Sequence, residues 1–187
     1  MRKLKLQVQI SVDGYVAGPN GELDWMTWNL DPKLLEFIVA VTDSSDTILL
    51  GRKMTEGFVK YWESVPADSP EYPFAGKMVE YPKIVFSKTL NQIEGKNVRV
   101  ENGDLVTAVN KLKQQDGKDI VVYGGAGFVS SLIKEGLIDE FNFFVNPVMI
   151  NNGLRIFDLL NNRQKLSLIT ATPYECGVTV LRYNLNR

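Results

Sequence analysis

Ile120-Val121-Val122-Tyr123-Gly124-Gly125-Ala126-Gly127-Phe128 is the stretch on which the fold turns. Its apolar, β-branched opening is the length of a buried strand and too short for a helix, and the glycines after it end the strand abruptly. Beyond them Phe128, Val129, Leu132 and Ile133 recur at helical spacing, and Gly136 stands where a helix stop is expected. The same grammar occurs upstream, where Thr47-Ile48-Leu49-Leu50 leads through Gly51-Arg52-Lys53-Met54 into a helix ending near Trp62. At each junction the first N–H groups of a helix lack intrahelical partners and sit at the positive end of the helix dipole, which favours an anion. Glycine also permits a positive φ and a close approach to a pyrophosphate. Each junction reads either as a phosphate site or as a tight turn; two in one short chain strengthen the first reading.

Outward from these junctions the order alternates. The opening segment, with Leu4, Leu6, Val8 and Ile10 on one side and Lys5, Gln7 and Gln9 on the other, reads as a strand ending near Ser11. A polar loop, Asp13 to Gly21, follows. Asp31 is placed as an N-cap before Pro32, and Leu34, Leu35, Phe37, Ile38 and Val41 define the inner face of a helix. Residues 64–81, rich in proline, are expected as a surface excursion. Lys83-Ile84-Val85-Phe86 is a strand with Ser87 and Lys88 at its exit, and a short strand lies near Val98. Asp104 caps a helix carrying Leu105, Val109 and Leu112 that stops before Gly117. The remainder is β-rich: residues 140–148 form a strand, and 165–172 with 178–185 form a hairpin around Glu175-Cys176-Gly177. One domain over residues 1–187 is expected, an α/β fold of three αβα layers with a mixed central sheet closed by a C-terminal antiparallel hairpin.

Composition removes several classes of function. Twenty-one basic and 22 acidic residues nearly cancel, so the totals provide no basic surface for nucleic acid. The single cysteine, Cys176, excludes an intramolecular disulfide and fits a reducing compartment, with the cytoplasm the simplest location. No stretch reaches the roughly 20 apolar residues that span a bilayer, and the first ten residues lack the apolar run of a signal peptide. There is no histidine, which removes the Ser-His-Asp triad, the Cys-His pair and histidine-containing metal sites. No metal is expected, and any acid or base must be another group or water. The glycine runs also lack the full dinucleotide fingerprint and the Gly-Lys-Ser/Thr phosphate loop. Arg52 and Lys53 beside Gly51, with Ser87 and Lys88, supply charge and a hydroxyl suited to the extra phosphate of NADP, although the same lysines also suit solvated surface.

Taken in order, Ser11-Val12-Asp13-Gly14-Tyr15-Val16-Ala17-Gly18, Leu49 to Met54, Val85 to Lys88 and Val122 to Phe128 resemble the dihydrofolate reductase superfamily. Gly136 to Glu140, Asn146-Pro147-Val148 and Gly153 to Phe157 are similar to its riboflavin-biosynthesis branch, the C-terminal reductase domain and related bacterial reductases. The resemblance spans most of the chain and implies NADPH as cofactor. By position it assigns the adenosine phosphates to Gly51, Arg52, Lys53, Met54, Ser87 and Lys88. It assigns Gly124, Gly125, Ala126, Gly127 and Phe128 to the cofactor as well, with Gly125 to Phe128 supporting the pyrophosphate. Val16 and Ala17 fall beside the nicotinamide in a loop that acts as a lid, and Trp25 falls where a tryptophan closes the folate pocket.

Departures from the family bear on the substrate. The position at which folate enzymes carry an acid is Leu35 here; Glu36 is its neighbour, rotated by about 100 degrees around the helix. Asp13, entering the lid loop, is a second carboxylate candidate, with an Asp-Gly turn as the structural alternative. Gln9 points into the substrate pocket with Trp25 and Leu35 if alternation turns it inward. The leading expectation is an NADPH-dependent reductase acting on a small pterin-like, ribosylaminopyrimidine-like or other C=N or C=O compound. The rival is a noncatalytic nucleotide-binding or assembly protein on the same fold. Phe141 to Phe144 and the C-terminal hairpin read equally as core or as a homodimer interface.

Overall fold

The computed structural model describes residues 1–187 apart from the side chain of Tyr72. The chain runs β1 (Leu4–Ser11), α1 (Pro32–Asp43), β2 (Ser45–Gly51), α2 (Arg52–Ser64), α3 (Tyr72–Glu80), β3 (Lys83–Phe86) and β4 (Val98–Glu101). It continues through α4 (Leu105–Gln114), β5 (Asp119–Gly124), α5 (Ala126–Lys134), β6 (Glu140–Asn146), β7 (Leu166–Pro173) and β8 (Thr179–Leu185). The strands form one sheet in the order β4-β3-β2-β5-β1-β6-β8-β7, parallel from β4 to β6 and antiparallel where β8 meets β6 and β7.

Alternation along the strands sorts the helices into two layers. Leu4, Leu6, Val8 and Ile10 of β1 join Leu49, Ile84, Ile120, Val122, Phe141 and Phe143 in one core, covered by Val109 and Leu112 of α4 and Val129, Leu132 and Ile133 of α5. On the other face Ile48, Leu50, Val85 and Val121 pack with Met54 and Phe58 of α2 and Met78 of α3, while Phe144, Val178 and Val180 pack with Leu34 and Ile38 of α1. Apolar burial of this extent, at about 25 cal/mol per Å², is what holds the three layers together. The mixed sheet, the αβα layering and the C-terminal hairpin are as expected from sequence. Gly177 turns that hairpin at φ +89 and Gly136 ends α5 at φ +62, conformations costly for other residues.

Two expectations are corrected. Residues 64–81 hold α3, whose Pro73 sits in the first turn, where a missing N–H costs no helical bond. Ala75 and Met78 are buried, and Lys83, itself buried, donates to the carbonyls of Met78, Val79 and Tyr81 at the helix end. The inner face of α1 is Leu34, Ile38, Val41 and Thr42 rather than one including Leu35, which is 46% exposed. Among the described residues no helix is long and apolar enough to cross a membrane.

Candidate active site at the crevice between β2 and β5

Strands β2 and β5 are neighbours whose onward connections part. From β2 the chain crosses to β3 on the α1–α3 face, and from β5 it crosses over β1 to β6 on the α4–α5 face. The crevice beyond their carboxyl ends is thus a topological switch point, the position at which open α/β sheets receive ligands. Gly51 is the N-cap of α2 and Gly125 that of α5, and neither supplies a side-chain cap. Gly125 adopts φ +88. A Cβ on Gly51 would lie 2.8 Å from Phe128 Cβ and 3.4 Å from Gly125 Cα, and one on Gly125 would lie 3.1 Å from Gly51 Cα. The two junctions therefore touch backbone to backbone, and the uncapped starts of two helices face the same crevice.

The flanking candidates divide by what they already hold. Arg52 and Lys53 are exposed at the start of α2. Met54 turns inward instead: it packs with Ile48 and Leu50, and its Sδ lies 3.0 Å from where a Gly124 Cβ would be. It supports the junction from beneath. Ser87 Oγ accepts from the N–H groups of Thr89 and Leu90, and Lys88 Nζ donates to the carbonyls of Asn102 at 3.2 Å and Gly103 at 2.9 Å. Ser87 Oγ thus shapes the turn at the β3 exit, and Lys88 ties that exit to the loop before α4. Phe86 and Phe128 stack at 5.2 Å beside the crevice, and Ala126 and Gly127 open the first turn of α5.

The loop after β1 is tethered through its first half. Val16 N–H donates to Leu154 O, Leu154 N–H donates to Ala17 O, and a Cβ on Gly153 would fall 2.1 Å from that oxygen. Arg155 lies over the Tyr15 ring at 4.5 Å and donates to its hydroxyl. Asp13 accepts from Ser11 Oγ at 2.6 Å and from the N–H groups of Ile150 and Asn151 at 3.2 and 2.7 Å. The Ser11 hydroxyl, with these backbone donors, holds the Asp13 carboxyl below its ordinary range. An ionised carboxylate so engaged is a staple between two loops, which counts against its use as a proton donor.

Between β1 and α1 the structure brings together residues that were separate in sequence. The β1–β5 ladder ends at Leu6 opposite Val122, whereas the β1–β6 ladder continues to Ser11 opposite Asn146. Beyond Leu6, β1 parts from β5 and a cleft opens beside the glycine junctions. Tyr123 stands at the fork, in a register shift of the β2–β5 pairing, the kind of irregularity enriched next to functional sites. Thr42 donates its one hydroxyl hydrogen to Ile38 O, so the 3.0 Å contact between Tyr123 and Thr42 is donated by Tyr123. Burial pushes the Tyr123 hydroxyl up to about 12.

Gln9 lies on the α1 face, as alternation predicts, and its Oε1 accepts from Asn146 Nδ2 at 2.8 Å. Fully buried Asn146 also donates to Phe144 O and accepts from Thr27 N–H, which anchors the loop bearing Trp25. Trp25 is half-buried and donates to Glu22 O. Leu35 lies two turns before Thr42 on α1 but is exposed, outside the helix's buried face. Glu36 is corrected: it shares an outward stripe with Lys33, Ala40 and Asp43, all exposed, and does not face the sheet. Sequence reasoning missed Gln7, Tyr123, Thr42 and Asn146; the polar residues at every second position of β1 were the available signal. Two surface concavities, one around Arg163, Lys165 and Arg187 and one around Trp62, Val79 and Glu80, have linings separate from this cleft.

Comparison with known proteins bears on the whole chain. The RibD C-terminal domain family matches residues 2–180. The uncharacterized protein YyaP of Bacillus subtilis (strain 168) is 31% identical over 185 residues, covering 99% of this chain and 96% of that one. YwjB of the same organism, also uncharacterized, is 31% identical over 170 residues and 89% of each chain. Among solved structures, the Thermotoga maritima diaminohydroxyphosphoribosylaminopyrimidine deaminase/5-amino-6-(5-phosphoribosylamino)uracil reductase superposes with a TM-score of 0.70 at 15% identity. That match covers 99% of this chain and 57% of the Thermotoga one, and at this identity the likeness shows the fold.

Proposed function

Because the chain belongs to the RibD C-terminal domain family, we propose that it is an NADPH-dependent oxidoreductase reducing a small organic substrate at a polarised C=N or C=O group. The observation that carries this reading is the contact between Gly51 and Gly125, which sets two uncapped helix N-termini around one crevice. That arrangement fits a pyrophosphate, since side chains at those positions would separate the two turns that hold it. Arg52 and Lys53 suit the adenosine phosphates, with Ser87 and Lys88 fixing the neighbouring loop. Val16 and Ala17 wall the nicotinamide end. Bound NADPH supplies the hydride; the chain positions the reactants and excludes water. Gln9, Trp25 and Leu35 border the substrate space. Neither Asp13 nor Glu36 is disposed to give a proton, so the reading draws it from water.

The same proposal places the protein in the cytoplasm as a homodimer. The homodimer is supported by the outer strand β7, exposed throughout, with Leu166, Leu168 and Ile169 on the sheet's unpaired edge, a surface that otherwise invites aggregation. Sedimentation of Leu168→Asp as a monomer, against a wild-type dimer, checks that part. For the cofactor, NADPH and NADH are titrated into wild type and Arg52→Glu. The variant is expected to weaken NADPH by about tenfold and NADH less, as befits one charge-assisted phosphate contact. Equal weakening removes the phosphate assignment, and failure of wild type to bind NADPH removes the enzyme reading. NADPH binding without oxidation across pterins, ribosylaminopyrimidines and small carbonyls selects a noncatalytic nucleotide-binding protein.

A further inference from the structure

We propose that Gln7 is a specificity-determining residue whose side-chain carbonyl accepts a hydrogen bond from an N–H group of the ligand at the fork between β1 and β5. The inference rests on the reductase reading for the identity of the cleft, but its own starting point is a side chain that the fold leaves unserved. Gln7 is 8% exposed, and its Oε1 is buried with no hydrogen-bond partner among the described residues. An unpaired buried amide oxygen forfeits its hydration without compensation, so such atoms are rare unless something outside the fold completes them.

Its neighbours explain why no internal partner is available. Directly across in β6 stands Asn142, whose Nδ2 donates to Leu6 O and whose Oδ1 accepts from Arg182 Nε. Arg182 is further engaged with Glu140 and lies over the Phe37 ring. Toward the base of β1, Lys5 is held by Ser44 and Asp119. Toward its end, Gln9 and Asn146 satisfy one another. On the β5 side Tyr123 has given its proton to Thr42. Every polar group flanking Gln7 on the sheet is thus committed elsewhere.

Position supplies the second line of argument. Gln7 is the first residue of β1 after the last β1–β5 pair, so it sits at the apex of the cleft and one strand away from Gly124. Its carbonyl is a buried acceptor without a partner among the described residues, and a planar heterocycle bound between the parted strands is what would complete it. The complementary group is an N–H, which occurs both on a lactam-like substrate ring and on the carboxamide of the nicotinamide. The shared chemistry is the same, and the two sources separate experimentally.

Gln7→Met keeps the length and removes the carbonyl, while Gln7→Glu keeps an acceptor oxygen. Wild type saturated with NADP+ is titrated with uracil, which carries ring N–H groups, and with 1,3-dimethyluracil, which carries none. The proposal expects uracil to bind about tenfold more tightly than the dimethyl compound, Gln7→Met to abolish that difference, and Gln7→Glu to retain it. Gln7→Met should also melt no lower than wild type, because it removes an unpaired buried polar atom. If instead Gln7→Met weakens NADPH by about tenfold, the donor is the cofactor's carboxamide, and the assignment of Gln7 still stands. Unchanged NADPH affinity in Gln7→Met, together with either equal binding of the two uracils by wild type or a preference for uracil that survives in Gln7→Met, overturns the proposal and leaves Gln7 as a hydrated orphan. Because wild-type NADPH binding is measured first, loss of the reductase reading is seen separately.

Discussion

The two ends of the crevice are made of different material. At the glycine end the backbone does the work: Gly51 and Gly125 touch, and the groups offered to a ligand are N–H bonds fixed by two helices. At the β1–α1 end side chains do it: Asn146 orients Gln9, Tyr123 is held by Thr42, and Gln7 Oε1 is buried without a partner among the described residues. A backbone cradle tolerates change in neighbouring side chains but not in the glycines, and it holds whatever carries phosphate. A side-chain lining changes its preference with single substitutions. The fold shared with the Thermotoga protein, at 15% identity, is compatible with that division: a backbone frame persists while side chains change.

The most severe way to break this contrast is Gly125→Val. A β-branched residue at φ +88, with its Cβ 3.1 Å from Gly51 Cα, is strained twice over. The expected cost is about 3 kcal/mol in stability, with NADPH affinity reduced by about a hundredfold as the junctions separate. Thermal unfolding and cofactor titration check it; wild-type affinity in a folded Gly125→Val would mean that the crevice is not the phosphate site.

Asn146→Ala probes the other end with a smaller effect. It removes the bonds to Gln9 Oε1, Phe144 O and Thr27 N–H from a fully buried site, for an expected loss of about 1–3 kcal/mol. NADPH affinity should remain within about twofold of wild type while substrate turnover falls, since Gln9 and the Trp25 loop lose their orientation. Equal loss of cofactor and substrate would erase the distinction between the ends.

What could be read from sequence follows the same line. The glycine junctions, the N-caps Asp31 and Asp104 and the turn at Gly177 are local devices, and each stands where the sequence puts it. The residues around the glycine junctions were legible because their signal is short range. The lining between β1 and α1 was seen only in part, because Lys5, Gln7 and Gln9 alternate like the solvated face of an edge strand, whereas β1 is central and that face is covered by α1. Nothing near Gln7 in sequence announces Asn142 or Asn146; they arrive through the β1–β6 pairing. Leu35 and α3 were misplaced for a related reason: which helix stripe is buried, and whether a proline-bearing segment packs, depends on the layer beneath.

Asp13→Asn is expected to have the smallest effect, and it tests whether the loop joining the two ends takes part in proton transfer. The Asp13 carboxyl is held below its ordinary value of 3.8, first by the Ser11 hydroxyl and then by the Asn151 and Ile150 N–H groups. A carboxyl whose folded pKa is depressed contributes stability that is present above its unfolded value and is lost as pH falls through the folded one. Asp13 therefore stays ionised in neutral solution and offers no proton to a substrate. Asparagine keeps the shape but replaces one acceptor oxygen with a donor, so a backbone N–H at Ile150 or Asn151 loses its partner. Faster amide exchange over residues 148–155 is the expected result, with the pH dependence of kcat superimposable on wild type over about pH 6 to 9. Loss of one limb of that profile would instead make Asp13 the proton donor, and the tethered loop would become part of the chemistry rather than its support.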